Sequence, residues 1–423
     1  MRLHTFIPPR SAFVAILAIL VTLVTPQGGR ATYALAAPAP AVQYWSAVAG
    51  ETVRQKFPGE AAVLMAIAHA AIYDAAVAVA GGYRPYAVAP AVPANTSLDA
   101  AVAAAAYGTL VQLLPASAST LDSLYTSYVD ALPDDEARAN GIGVGNAVAD
   151  GIMALRAGDG RDAVVGYTPL PFGPGVYEPT QAGTPVGTKL PGIRPLALES
   201  ASQFRPDGPS ALTSQEYADD FQQLKDYGAK FSALRTPEQT DIARFWTAHD
   251  VPQWDRAILR MASDRGLSQV QTARLLAMAN IAGGDAMIAC FDAKYFYNFW
   301  RPIDAIRHAD IDGNDATEPD PTWQPLFTTP FHPEYPSAHG CHSAAIVEAL
   351  KAFFGTDNVS FSIDSDARDV QQSVRYYRRF KDALKEVLEA RVWSGFHFRN
   401  SDQQGANLGR AVGRYVIGKL FSD

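Results

Sequence analysis

Six side chains in the second half of the chain have the types and spacings needed to grip an oxyanion. "KYFYNFWRPIDAIR" sets Lys294 and Arg301 seven residues apart, with Pro302 next. Seven residues is nearly two helical turns, so one helix would project both cations from a single face. "FHPEYPSAHGCHSAA" breaks at Pro336 and puts Ser337, Ala338 and His339 where the helical stretch "CHSAAIVEALKAFF" begins. A helix start offers unpaired backbone N–H groups and the positive end of a dipole to an anion. "ARVWSGFHFRNSD" ends one helical stretch at Arg391 and holds His397 in the Ser-Gly break before the next.

Together these segments supply three cations, a hydroxyl donor and two imidazoles. A guanidinium binds two oxygens at once, which suits a tetrahedral oxyanion. One imidazole can bond to the central atom while the other moves protons. Each cluster alone is ambiguous, since a Lys/Arg pair also fits a solvated face and "PSAH" an ordinary N-cap. In this order and number they read as one site.

The elements that must position them are helices. "AAVLMAIAHAAIYDAAVAVA", "DAAVAAAAYGTLVQLLP", "STLDSLYTSYVDALP" and "EARANGIGVGNAVADGIMALRA" repeat apolar residues at three- and four-residue spacing. Helical pattern resumes at "TSQEYADDFQQLKDYGA", with Thr213 or Ser214 as N-cap, and continues through "LSQVQTARLLAMANIAGGDAMIACFDAKYFYNFW". No period-2 run of β-branched residues stands out. Between the two helical regions, Arg161–Ser210 contains nine prolines and seven glycines. The expected organisation is a leader over 1–36, a helical region over 37–160, a Pro/Gly-rich connection over 161–212, and a second helical region over 213–423 that carries the site.

Residues 1–36 combine Arg2 and Arg10, an apolar run from Ala12 to Val24, and the small triplet Ala34–Ala36. That is a secretory signal pattern, which predicts export to a periplasmic or extracellular space. No later stretch is expected to cross a bilayer. Removing the leader leaves 32 basic against 43 acidic side chains, a net charge of −11. Such a balance argues against nucleic acid or an anionic membrane as partner. Oligomeric state is not legible. Cys290 and Cys341 are the only cysteines, and export would permit them to pair or leave them as buried thiols. Both lie beside site motifs, so the two are expected to be close in space.

The three clusters resemble the signature shared by vanadium-dependent haloperoxidases and type 2 phosphatidic-acid-phosphatase-like acid phosphatases. That signature is Lys, six residues, Arg-Pro; then Pro-Ser-Gly-His; then Ser-Arg, five residues, His, three residues, Asp. This chain has Lys294, Arg301-Pro302, Pro336-Ser337-Ala338-His339 and Ala390-Arg391 followed by His397. "MAIAHAAIYDAA" and "RTPEQTDIARFWTAHD" resemble the bacterial haloperoxidase branch, so the likeness covers most of the chain. It implies an all-α fold of two packed four-helix bundles with the site in the second. Three positions depart from the signature: Ala338 stands for Gly, Ala390 for Ser, and Ser401 for Asp, with Asp402 one residue on.

What the resemblance implies for a haloperoxidase is vanadate bonded to His397, the metal ligand. Its oxygens would be held by Lys294, Arg301, Ser337, the amide of Ala338 and Arg391. Hydrogen peroxide would be the oxidant, a halide and a small organic acceptor the other partners. His339 would assist proton transfer, and Lys294 would polarise the bound oxidant. In a phosphatase, phosphate would take the same place, with His397 as nucleophile and His339 as general acid. A non-catalytic oxyanion binder is a third reading. His332 falls where bromide-selective members resemble this chain and chloride-selective ones tend to carry Phe; a surface loop histidine is the plainer alternative.

Other groups read as structural. His69 fits a core histidine. "DIDGND", Asp310 to Asp315, resembles a calcium loop but lacks an EF-hand's spacing and terminal Glu. His249-Asp250 could be an acid/base pair, or a structural pair beside Trp246 and Trp254. His308 and His342 flank the motifs.

Overall fold

A computed structural model describes residues 39–422, so the expected leader lies outside the described residues. The described chain is mostly helical, with thirteen α-helices and one small hairpin. The all-α expectation holds. The first region comprises α1 (Ala41–Val53), α2 (Pro58–Ala80), α3 (Leu98–Leu113), α4 (Ala118–Asp130) and α5 (Glu136–Leu155). Alanine favours helix and lets axes approach closely. Where α5 crosses α3 even alanine is too large, because a Cβ on Gly145 would lie 2.2 Å from the Ala101 carbonyl.

The second region comprises α6 (Gln215–Tyr227), α7 (Pro237–Phe245), α8 (Asp250–Asp264), α9 (Gln269–Tyr297), α10 (Pro302–Arg307), α11 (Ala338–Phe354), α12 (Phe380–Trp393) and α13 (Arg399–Leu420). Ser214 caps α6 by accepting from the Tyr217 N–H, and Thr236 and Ser268 open α7 and α9 with capping boxes. The long helix α9 is the shared core, packed on α2 and on α11 and α13. One continuous hydrophobic cluster therefore runs from Trp45 of α1 to Val416 of α13.

The Pro/Gly-rich connection is irregular but tied down by buried carboxylates. Asp285 of α9 accepts the backbone N–H groups of Leu196, Ala197 and Leu198 at 2.7–2.9 Å. Asp74 of α2 does the same for Tyr86, Ala87 and Val88 before α3. Near the end of α9, the Tyr295 and Tyr297 hydroxyls donate to the carbonyls of Val186 and Pro206. The connection thus straps the part of α9 that carries Lys294.

Two expectations need correction, and one small element adds to the helical pattern. A hairpin exists, β1 (Phe361–Asp364) against β2 (Val374–Tyr377); four residues per strand are too few to show a period of two. Lys294 and Arg301 do not share one helical face, because α9 stops at Tyr297 and Asn298 turns left-handed at φ 48°. Arg301 is instead the residue that precedes α10. Finally, α2 and α9 are long and apolar enough to span a bilayer, but 89% and 94% of their apolar windows are buried inside the fold.

Candidate active site

The helix break after α9 lets its two cations reach one loop from different directions. Lys294, fully buried in the last turn of α9, donates from Nζ to the carbonyls of Pro333 and Glu334 at 3.0 and 2.8 Å. Arg301 donates from Nε to the His332 carbonyl at 2.7 Å and from Nη1 to the Phe396 carbonyl at 3.0 Å. Consecutive carbonyls over 332–334 are therefore held by two cations. The connection holds the break itself: Tyr177 N–H donates to Asn298 O, and Trp300 N–H to Gly175 O.

Ser337 is the residue before α11, yet its hydroxyl makes no cap bond. Its backbone N–H donates to the Ser401 carbonyl at 3.1 Å. Helix α13 comes this close only because position 405 is glycine, where a Cβ would lie 2.5 Å from Ser337 O. The N–H of Ala338, first in α11, is among those that a helix leaves without an internal partner.

Arg391 lies in the last turn of α12, over the Phe396 ring at 4.8 Å, and donates from Nη1 to Trp246 O. His397, 1% exposed, has Nδ1 2.8 Å from Glu334 Oε1. The Phe398 N–H donates to that same oxygen at 3.1 Å. An oxygen already accepting from an amide acts as acceptor for the imidazole too, so Nδ1 carries the proton and Nε2 keeps its lone pair. His339 alone of the six is partly exposed.

Burial sets the charge states. It pushes Lys294 down to about 8, with Arg301 adding repulsion, and Arg301 and Arg391 down to about 10. Burial and the charges of Arg301, Lys294 and Arg391 hold His397 well below the usual imidazole range, so it is neutral. Burial and Arg391 likewise lower His339. Glu334 rises to about 7 because burial outweighs the pull of Lys294 and Arg301. Burial also raises Asp402. Cations depressed by desolvation gain most from an incoming anion.

Vanadate fits this donor set. His339 Nε2 and Arg391 Nε are buried with no partner in the protein, and the Ser337 hydroxyl faces only the Asp402 carboxyl. Each such unpaired group costs about 1–3 kcal/mol, a cost an oxyanion's oxygens would relieve. Arg391 is in electrostatic reach of His339, Arg301 and His397, and Lys294 and Arg301 are in reach of His397.

The comparisons agree with this geometry. Residues 274–422 match the family model for the VCPO second helical-bundle domain. A curated vanadium chloroperoxidase from Curvularia inaequalis is 26% identical over 230 residues. That match covers 40% of this chain and 37% of that protein, so the chain spans little more than a third of it. The structure of a bacterial vanadium-dependent iodoperoxidase superposes with a TM-score of 0.77 at 26% identity, covering 91% of this chain and 98% of that one. The chain is similar to the vanadium-dependent haloperoxidases in its second helical region and in its fold. A holo-type bacterial vanadium-dependent chloroperoxidase shares the fold at a TM-score of 0.69 and 18% identity, covering 91% of this chain and 98% of that one.

Within this haloperoxidase-like frame, the structure brings all six signature side chains and Ala338 to one locus. His332 is no surface residue: it is 6% exposed, between Phe57, Phe291 and Arg301. Asp250 pairs with His342 at 2.9 Å rather than with His249. Although burial works the other way, His339 and His342 hold the Asp250 carboxyl below the usual range. His308 is exposed against Phe172, Asp312 accepts within its own turn, and His69 is buried against Met65 O and Ser46. Sequence reasoning missed Glu334; the signal was an acid two residues before Pro336 in "HPEYPSAH". Asp402 does not take the vacant signature role, since its carboxyl faces Ser337 while the His397 imidazole bonds Glu334.

Proposed function

We propose that the protein is a vanadate-dependent haloperoxidase that oxidises halide, bromide by preference, with hydrogen peroxide. One observation carries the reading: the buried, unpartnered nitrogens of His339 and Arg391 stand with two further desolvated cations, Lys294 and Arg301. In this reading His397 Nε2 holds the vanadium. Lys294, Arg301, Arg391, Ser337 Oγ and the Ala338 N–H hold the oxygens. Vanadate, when bound, supplies a Lewis-acid centre that activates peroxide without changing oxidation state.

The chain's own residues do the rest. Lys294 brings positive charge to where negative charge develops as the O–O bond breaks. His339, neutral and partly open to solvent, moves protons between the site and water. Overall, bromide gives two electrons to hydrogen peroxide and a proton is taken up, forming hypobromous acid and water. The oxidised halogen then passes to a small organic acceptor. Bromide rests on His332, while the relatives named above are chloro- and iodoperoxidases. The signal pattern over 1–36 supports export.

The test is to strip the protein of bound oxyanion, add orthovanadate, and follow oxidation of chloride, bromide and iodide with peroxide. A generic phosphate ester is assayed alongside. Vanadate-dependent bromide oxidation is expected. Ester cleavage that vanadate inhibits, with no halide oxidation, would replace this reading with the phosphatase.

A further inference from the structure

We infer that Glu334 is the positioning residue for the imidazole of His397, taking the role that a carboxylate at the signature Asp position cannot take here. The inference rests on the proposed oxyanion site and extends it to a residue outside the signature.

Position 401 is serine, and its backbone carbonyl is used by the Ser337 N–H. Asp402 follows, but its carboxyl faces the Ser337 hydroxyl, and the His397 imidazole bonds Glu334 instead. His397 would otherwise have no acid to orient it. Glu334 supplies one from a different segment, 63 residues earlier in the chain. Its Oε1 receives both the imidazole Nδ1 and the next residue's backbone N–H, at 2.8 and 3.1 Å. Two contacts to adjacent residues fix the ring's direction as well as its distance.

The other end of Glu334 is equally fixed. Lys294 holds its backbone carbonyl, and Arg301 holds the carbonyls of His332 and Phe396, one on each side of the Glu334–His397 contact. The cations that would grip the oxyanion thus also set the carboxylate that aims the imidazole. With Nδ1 committed to Glu334, Nε2 presents its lone pair to the site. A ring free to flip would spend part of its time with a proton where the vanadium bond must form. Metal-binding histidines commonly need such an outer partner, and its loss costs about 10–100-fold in affinity.

The experiment uses the full chain with 15N-labelled histidine, as wild type, Glu334→Ala and Glu334→Gln. Nitrogen NMR reads the His397 tautomer without added ligand, and calorimetry reads orthovanadate affinity. Circular dichroism checks that the helices persist. Glu334→Ala should lose the single Nδ1–H tautomer and bind vanadate at least about tenfold more weakly. Glu334→Gln, whose amide oxygen still accepts from Nδ1, should keep the tautomer and most of the affinity. If Ala keeps both, or if Gln fails as badly as Ala, the positioning role is overturned. Neither readout needs turnover. A wild type that binds vanadate but oxidises no halide would sink the haloperoxidase reading and leave this one standing.

Discussion

The imidazole of His332 leans on the guanidinium of Arg301, with Nδ1 3.0 Å from Nη2. A guanidinium has donors only, so Nδ1 accepts from Arg301 in the tautomer that leaves it unprotonated and donates to the Pro333 carbonyl, 3.1 Å away, in the other; the ring is neutral. Burial, together with the charges of Arg301 and Lys294, keeps it so. In the first tautomer His332 takes one of the donors that Arg301 could otherwise turn toward an oxyanion.

That contact gives the first prediction. His332→Phe removes the acceptor but keeps an aromatic ring between Phe57 and Phe291. Turnover with bromide should fall relative to chloride by about tenfold, the scale of one lost hydrogen bond to a charged group. Initial halogenation rates at fixed peroxide measure the ratio. An unchanged ratio with weaker vanadate binding would make His332 a support for Arg301 and not a selector of halide.

Lys294 yields a prediction about pH. Its folded pKa is lowered to about 8, so its positive charge is complete below that pH and lost as pH rises through it. Lys294→Met lacks the charge throughout. The wild type should therefore bind vanadate about tenfold or more tightly than the variant at neutral pH, with the advantage shrinking above about pH 8. Bound anion moves the crossover upward. Comparing the two proteins at each pH cancels the ligand's own protonation. A ratio that stays flat from about pH 6.5 to 9.5 would mean that Lys294 does not meet the anion.

Side-chain order was legible where it depended on spacing. Helix periodicity placed the long helices, and the three motifs named the side chains that now surround one locus. Three-dimensional meeting points were not legible. The Lys294–Arg301 spacing suggested one helical face, but Asn298 ends α9 between them, and the two cations meet on the 332–334 carbonyls instead. Glu334 and His397 are 63 residues apart and no spacing rule links them. The apolarity of α2 and α9 similarly reports burial, and one sequence does not distinguish a core helix from a membrane span.

The two cysteines do meet. Cys290 and Cys341 are free, fully buried thiols with sulfurs 2.7 Å apart, and Cys290 also faces the Pro336 carbonyl. Burial and the neighbouring thiol push Cys341 well above the ordinary thiol range, so little thiolate is present to react. Protein made in an oxidising compartment should carry the bridge, and intact mass without reductant should be lower by two hydrogens. Protein made in a reducing compartment should keep both thiols and resist alkylation until unfolded. Two alkylatable cysteines in oxidised, unfolded protein would count against the pairing.

The two active-site histidines should separate by role. His397 has its Nε2 free and its Nδ1 engaged, so His397→Ala should lose most bound vanadate and nearly all bromide oxidation. His339 sits at the start of α11, partly exposed, with an unpartnered Nε2 and a neutral ring. It is placed to pass protons to and from the oxyanion's oxygens, whereas His397 would bond the metal. His339→Ala should retain vanadate among Lys294, Arg301 and Arg391 while turnover falls about a hundredfold or more, the usual weight of general acid–base catalysis. Calorimetry measures the first quantity and steady-state bromination the second. Equal loss of binding in both variants would make His339 a second anchor. Equal retention in both would remove His397 from the metal, and with it the reason for Glu334 to hold the ring.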